Sequence, residues 1–254
     1  MNIKMIVTDL DDTLLRSDKT ISEYTIAALK KCQARGIKIA FATARSLRAA
    51  SRMRAQFEPD VFIGYGGALA LAGDEVLYRS DIPSDISARI INECLAAPEI
   101  ACILAINEAV ALTNAKEKTI GDTAHYQYAD FSRDYGHRYL KISVNATGPA
   151  AVEAIAAQVP MCDMLRYRGE DLYRFAHRDA VKWSAIQAVT AYYGIPISQI
   201  AAFGDANIDL EMLTNCGAGV AVANATDEVK TAAGYVCGSN EEDGVAGWLE
   251  TWVL

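Results

Sequence analysis

Apolar residues fall along this chain in two rhythms. From the N-terminus, short apolar runs alternate with stretches of helical periodicity. Ile3–Thr8 predicts a strand, and Ser22–Arg35 predicts a helix with Ser22 as its N-cap and Gly36 as its stop. Ile37–Ala42 predicts a second strand, Leu47–Arg54 a helix and Val61–Ile63 a third strand. Strands that alternate with helices imply right-handed crossovers and a mainly parallel sheet. Ala68–Leu71 and Val76–Tyr78, parted by Gly73-Asp74, predict a hairpin.

From about Pro83 the rhythm changes. A helix over Asp85–Ala96 precedes adjacent strands at Ala101–Ile106 and Val110–Thr113. A polar stretch follows, then a strand at Tyr139–Val144, a helix at Pro149–Gln158 and strands around Met161–Tyr167 and Leu172–Ala176. Strand pairs punctuated by helices predict an α+β unit with an antiparallel sheet. After His177 the first rhythm returns: helix Val181–Tyr193, strand Ile200–Phe203, helix Asp209–Leu213, strand Gly219–Ala221, and helices after Thr226 and Asp243. The expected fold is therefore α/β. Its parallel-sheet core, residues 1–82 and 178–254, is interrupted by an inserted α+β domain at 83–177.

Composition narrows the function without naming it. The 254 residues are 52% hydrophobic and 22% charged, an ordinary globular balance. A net charge of -8 provides no global basic field for nucleic acid or an anionic membrane. An anionic substrate would need positive charge supplied locally, by a metal or a few placed Lys and Arg. The six cysteines are scattered, without a CxxC pair or nearby histidine spacing, and read as reduced, mostly buried thiols. Acids arrive at Asp9 before a signal-peptide core could form, and the apolar stretch from Ile100 to Leu112 is broken by Asn107 and Glu108. A cytoplasmic protein with no membrane partner is expected.

Chemistry concentrates at strand ends. Ile6-Val7-Thr8-Asp9-Leu10-Asp11-Asp12-Thr13 runs an apolar strand straight into three acids. Clustered carboxylates are costly there unless something positive binds them. Thr43 ends the second strand, Asp205 ends a later one with Asp209 four residues on, and Lys182 opens the helix after the insertion. In a parallel sheet all these ends lie along one edge, where open α/β sheets place ligands. Asp9, Asp11, Thr43, Lys182, Asp205 and Asp209 can thus converge. Oxygen ligands without His or Cys suit Mg²⁺ better than zinc. Such a set can perform phosphoryl transfer: a carboxylate nucleophile, a cation cancelling repulsion, a hydroxyl and an ammonium on the phosphoryl oxygens, and a second carboxylate handling the proton. Asp12 reads as a loop acid, and the three histidines show no metal spacing.

Asp9-Leu10-Asp11-Asp12-Thr13-Leu14, Thr43-Ala44-Arg45, Lys182 and Gly204-Asp205 with Asp209 resemble the four ordered motifs of haloacid dehalogenase-like phosphatases. An insertion between the Thr and Lys motifs resembles their Cof-type, class IIB sugar-phosphatase branch. Gly67-Ala68, Asn224-Ala225 and Asp243-Gly244-Val245-Ala246 are smaller matches. The resemblance implies a Rossmann-like core with an inserted cap, and a Mg²⁺-dependent phosphatase acting on small phosphorylated metabolites, sugar phosphates first. Asp9 would be the nucleophile and Asp11 the general acid and base, also offering Mg²⁺ its backbone carbonyl. Asp9, Asp11, Asp205 and Asp209 would form the metal site, Asp209 in direct contact or behind it. Thr43, Ala44, Lys182 and Asn224 would bind phosphate. A monomer or small homo-oligomer is expected.

The chain departs from the family at four places: Ala44 stands where Gly is common, Gly66 where Asn is usual, Ile208 where Asn is usual, and Trp183 where Gly is common. Ala44, Gly66 and Ile208 motivate an alternative, a catalytically weakened metabolite-binding or regulatory protein; a phosphomutase is the enzymatic alternative. A receiver-type signalling domain, which uses a similar set, fits poorly with the insertion and the Asp9/Asp11 pairing. Tyr126, Tyr128, Arg133, Tyr135, His137, Arg138 and Lys141 are candidates for contacting a phosphorylated sugar from the insertion, or simply a solvated loop.

Overall fold

The computed structural model of the protein describes residues 1–115, 126–132, 136–167 and 171–254. His125, Arg133 and Tyr135 lie outside the described residues. Two compact units form: Met1–Arg79 with Val181–Leu254, and Ser80–Ala180.

The chain begins with β1 (Met5–Thr8), α1 (Glu23–Ala34), β2 (Lys38–Ala42), α2 (Ser51–Gln56), β3 (Val61–Gly64) and the hairpin β4 (Leu69–Ala72) and β5 (Glu75–Arg79). The second unit contributes α3 (Ser84–Ala96), β6 (Ile100–Ile106), β7 (Ala111–Thr113), β8 (Gln127–Tyr128), β9 (Lys141–Ala146), α4 (Ala150–Gln158), β10 (Cys162–Arg166) and β11 (Leu172–His177). The chain returns to the first unit with α5 (Lys182–Tyr193), β12 (Ile200–Gly204), α6 (Leu210–Asn215), β13 (Ala218–Ala221), α7 (Asp227–Ala232), β14 (Tyr235–Val236) and α8 (Gly244–Trp252).

In the first unit the strands form one sheet in the order β14-β13-β12-β1-β2-β3-β4-β5. It is parallel from β14 through β3 and antiparallel across the last hairpin. Every residue of β1, β12 and β13 is buried, as expected for a parallel sheet covered on both faces. Helices α1 and α8 pack together, as do α5 and α6. Ser22 caps α1, its hydroxyl accepting from the Thr25 amide at 3.0 Å. The leucines within and after the Asp9–Asp12 acids are core residues: Leu10, Leu14 and Leu15 are buried. They turn inward through an irregular helical turn at Leu10–Leu14, in which Asp12 adopts φ 57°.

The second unit has its own core around Ile90, Ile103, Ile142, Val144, Tyr173 and Phe175. Its sheet runs β10-β11-β9-β6-β7-β8, antiparallel except for the β7–β8 pair. Tyr128 is exposed on β8, the His137 ring meets Tyr139 edge-on, and Arg138 Nε lies 3.3 Å from Asp81. Among the described residues no helix is long and apolar enough to cross a membrane.

Helix α2 starts later than its periodicity predicts, at Ser51 rather than Leu47. The cause is Ser46, whose hydroxyl accepts from the Ala49 amide and whose carbonyl accepts from the Ala50 amide, closing a separate turn first. Strands β8 and β14 have two residues each and carry no periodic signal.

Candidate active site

Sheet register sets the site's frame. Thr8 on β1 pairs with Phe203 on β12 and Phe41 on β2. Asp9 therefore follows directly at the carboxyl end of β1, with Asp205 and Thr43 just beyond the ends of the two flanking strands. The Asp9 amide continues the ladder, donating to the Phe203 carbonyl at 3.0 Å. Lys182 arrives as the first residue of α5.

These residues build a buried charge cluster. Lys182, only 3% exposed, places Nζ 2.6 Å from Asp209 Oδ1 and 3.0 Å from Asp9 Oδ1. Asp209 is fully buried, and its Oδ2 accepts from the Asp205 and Ala206 amides at 3.2 Å each. Thr13 donates its hydroxyl to Asp205 Oδ1 at 2.8 Å. Oxygens of Asp9, Asp205 and Asp209 lie within 4.8 Å of one another, a group that could hold a metal ion.

Two glycines permit this packing. A Cβ on Gly204 would come within 2.5 Å of the Asp209 Cβ, so a side chain there would push Asp209 off its station. Gly67, at φ 104°, lies against the Val181 backbone where α5 begins, and a Cβ would collide with the Val181 carbonyl carbon.

The electrostatics follow from three carboxylates facing one ammonium. Burial pushes the Asp9 carboxyl up to about 8; Lys182 opposes the rise, while Asp209 and Asp205 add to it. Asp205 is pushed up to about 6, again chiefly by burial, with the Thr13 hydrogen bond opposing. Burial works against the Lys182 charge, but Asp209 and Asp9 outweigh it and hold the ammonium well above the ordinary lysine value. With all four groups charged the cluster carries a formal charge of about −2, which a divalent cation would balance. An all-oxygen donor set fits a hard cation such as Mg²⁺. Because both Asp209 oxygens are already engaged, Asp9 and Asp205 are the better-placed direct ligands.

Asp11 is not among the three acids. Its carboxylate meets Arg45 as a fork, Nε to Oδ2 and Nη2 to Oδ1 at 2.7 Å each, and Lys19 Nζ stands 3.1 Å from Oδ1. Burial acts to raise the Asp11 pKa, but Arg45 and then Lys19 outweigh it and hold the carboxyl below its usual range. Thr43 Oγ1 accepts from the Arg45 amide at 3.1 Å, leaving its own hydroxyl proton available to donate. Asn224 uses its amide on backbone: Nδ2 donates to the Asp12 carbonyl at 2.7 Å, and Oδ1 accepts from the Asn240 amide.

Among the departures, Ala44 is absent from the residues at positive φ, so a glycine's conformational freedom is not needed there. Gly66 does occupy the left-handed region, at φ 75°, which Gly accepts as readily as the usual Asn. Asn207 does not replace the amide missing at Ile208; it donates to Glu228, and Ile208 is exposed. Trp183 packs partly buried against the core. Thr13, Arg45 and Lys19 take part in these contacts although none of them was singled out as a site residue. Thr13 and Arg45 stood within quoted motifs, whereas Lys19 carried no signal.

A family model for haloacid dehalogenase-like hydrolases matches residues 6–249, and the chain belongs to that family. The 5-amino-6-(5-phospho-D-ribitylamino)uracil phosphatase YitU of Bacillus subtilis is 27% identical, covering 98% of this chain and 97% of its own. An HMP-PP phosphatase of Cronobacter sakazakii is also 27% identical, with 96% and 94% covered. In fold the chain matches the HAD subclass IIB sugar phosphatase BT4131, with a TM-score of 0.84 at 24% identity and 98% of both chains covered. It likewise matches TM0651 of Thermotoga maritima, with a TM-score of 0.86 at 22% identity, covering 99% and 98%. Within the family, the protein is a phosphatase.

Proposed function

We propose that the protein hydrolyses small phosphorylated metabolites, sugar phosphates first, through a phosphoryl group carried on Asp9, with Mg²⁺ as its cation. The observation that carries this reading is the buried Asp9–Lys182–Asp209–Asp205 cluster at the carboxyl edge of β1 and β12. Three carboxyl groups face one ammonium there, and a divalent cation would balance them when all are ionised.

Asp9 and Asp205 would hold the cation, with Asp209 and Thr13 fixing the ammonium and the second carboxylate behind them. Bound there, Mg²⁺ would supply charge neutralisation between two anionic reactants. An Asp9 oxygen forms the new bond to phosphorus while the ester P–O bond breaks. Lys182 has two N–H groups directed at Asp9 and Asp209, which leaves a third for a phosphoryl oxygen, and the Thr43 hydroxyl offers another donor. Asp11, once released from Arg45 and Lys19 and protonated, would supply the proton taken by the leaving oxygen. It then takes a proton from water as that water attacks phosphorus and breaks the Asp9–P bond, releasing phosphate and restoring both carboxyl groups.

The B. subtilis relative is named for a phosphorylated ribitylamino-uracil and the C. sakazakii relative as an HMP-PP phosphatase, which supports a small phosphorylated metabolite. The unit Ser80–Ala180 is proposed to carry the choice of leaving group. Asp9→Asn protein should fold, retain its melting temperature within a few degrees, and lose p-nitrophenyl phosphate hydrolysis. Unchanged turnover refutes the assignment. Product analysis with a hexose monophosphate separates hydrolysis, which yields free phosphate, from a mutase, which yields isomerised ester.

A further inference from the structure

An arginine in the middle of a sheet strand needs a reason, and Arg174 stands third of the six residues of β11. Its neighbours Tyr173 and Phe175 belong to the core of the second unit, together with Ile90 of α3 and Val152 of α4. Side chains alternate across a strand, so Arg174 lies on the other face, opposite both helices. Sheet register shows what shares that face. Arg174 pairs with Leu165 on β10 and with Ser143 on β9, and Ser143 pairs in turn with Leu104 on β6. Ser143 stands between the core residues Ile142 and Val144, which puts Lys141 beside it on the same face. Lys141 and Arg174 are therefore diagonal neighbours, roughly 7 Å apart. We propose that this face binds a second negative charge on the substrate's leaving group, a carboxylate or a phosphate, with Arg174 and Lys141 selecting for it; this rests on the reading of the Ser80–Ala180 unit as the one that chooses the leaving group.

Two cations set diagonally on one sheet face repel each other, and both of these are half-buried. Burial works against the Arg174 charge. Tyr167 and Asp163, diagonal to it across β10, counter only part of that, so the guanidinium is held below its ordinary value. Asp163 is exposed, where solvent screens its charge. An anion seated between the two cations would relieve the repulsion and the desolvation together. The donors suit one. A guanidinium presents parallel N–H groups to a carboxylate or a phosphate, Lys141 adds a compact charge, and the Ser143 hydroxyl stands on the residue directly opposite Arg174. Ser143 and Leu104 are only 5% and 3% exposed, so charges meet over a floor where they interact more strongly than in open water. The phosphoryl group itself has Lys182, Thr43 and the cation in the scheme above and makes no call on this pair. In a chain of net charge -8, two placed cations without a role in that transfer point to a second anion.

The test uses three esters that differ at C1: glucose 6-phosphate, 6-phosphogluconate, which adds a carboxylate, and glucose 1,6-bisphosphate, which adds a phosphate. Phosphate release in Mg²⁺ is measured for the full chain and for Arg174→Gln, Arg174→Lys and Lys141→Gln, with thermal melting to verify folding. The parent protein should favour at least one of the two anionic esters over glucose 6-phosphate by about 10-fold or more in kcat/KM, as a charge-assisted contact supplies. Which ester is favoured identifies the group as carboxylate or phosphate. Arg174→Gln should lower that preference by about 10-fold or more, mainly through KM, and Lys141→Gln by about threefold. Arg174→Lys should recover part of it, because it keeps the charge without the fork. A parent preference below about twofold overturns the proposal, as does a preference that either folded Gln variant leaves unchanged. An equal loss on all three esters in Arg174→Gln would make Arg174 a structural residue and overturn it too. A parent protein that cleaves p-nitrophenyl phosphate but none of the three sugar esters removes the sugar-phosphate reading and this proposal with it, whereas one that cleaves all three alike removes this proposal alone.

Discussion

Lys182→Met is the most exacting test of the buried cluster. Its side chain lies between Asp209, which is fully buried, and Asp9, which burial already keeps largely protonated at pH 7 without a metal, so removing the ammonium strands the Asp209 carboxylate without a cation and without water. Breaking a buried pair from one side costs about 3–5 kcal/mol. A second consideration limits the loss, because a stranded carboxylate can always take up a proton. For an aspartate with an ordinary value of 3.8, doing so at pH 7 costs about 4 kcal/mol at roughly 1.4 kcal/mol per pH unit, and only about 2 kcal/mol at pH 5. The loss expected at pH 7 is therefore about 3–4 kcal/mol. For a cooperative unit of this size that corresponds to roughly 10 °C in melting temperature. Differential scanning calorimetry in EDTA should show this drop at pH 7 and about half of it at pH 5. Replacing Asp209 by Asn in the same chain removes one stranded charge while keeping an oxygen for the Asp205 and Ala206 amides, and should restore several degrees. A loss below about 2 °C at pH 7, or one that grows on acidification, would refute the electrostatic account.

Other expectations follow from the same contacts. Asp9 and Asp205 have folded pKa values above 3.8, at about 8 and about 6, so the stability they contribute is fully present below about pH 4 and is lost as pH rises through those values. In EDTA the melting temperature should fall between pH 5.5 and 8.5, and Mg²⁺ should raise it more at the upper end, where cation no longer competes with proton; a Mg²⁺ effect independent of pH would count against the site. Thr13→Val removes the hydrogen bond that orients Asp205 and should weaken Mg²⁺ binding about 10-fold or more, measured by calorimetric titration. Gly204→Ala should lose both stability and Mg²⁺ affinity, because its methyl group would meet Asp209. Ala44→Gly should leave kcat within about twofold and cost up to about 1 kcal/mol in denaturant unfolding, since the position needs no left-handed backbone.

Much of this was legible in the chain because parallel sheets write their order plainly. Unbroken apolar runs such as Ile200–Phe203 and helices capped as at Ser22 produced elements close to those observed, and the acids at strand ends followed from a sheet's single carboxyl edge. Pairing inside the site was not legible. Thr13 reaches Asp205 across 192 positions, and a threonine inside an apolar turn reads equally well as core. That Arg45, and not the cation cluster, takes the Asp11 carboxylate depends on a rotation about one side-chain bond, which no spacing encodes. Asn224 illustrates the converse: its motif neighbours suggested phosphate, whereas its amide ties the Asp12 carbonyl to the Asn240 backbone. Strand β14 and the two-residue β8 were too short for periodicity to register.

The position of β1, flanked by β2 on one side and β12 on the other, also sets a schedule for synthesis. Asp9 is made before the Ser80–Ala180 unit, yet Lys182, Asp205 and Asp209 follow only after the whole of that unit has been made. Until then β1 has no β12 to pair with, and one flank of the central strand stays open. Contacts this distant in sequence form late, after the chain entropy of closing so long a loop has been overcome. The second unit, with its own core, can condense while the first half waits. A nascent chain therefore carries Asp9 without the lysine and the two acids that surround it in the folded protein, and the charge cluster is complete only when the later strands close the sheet.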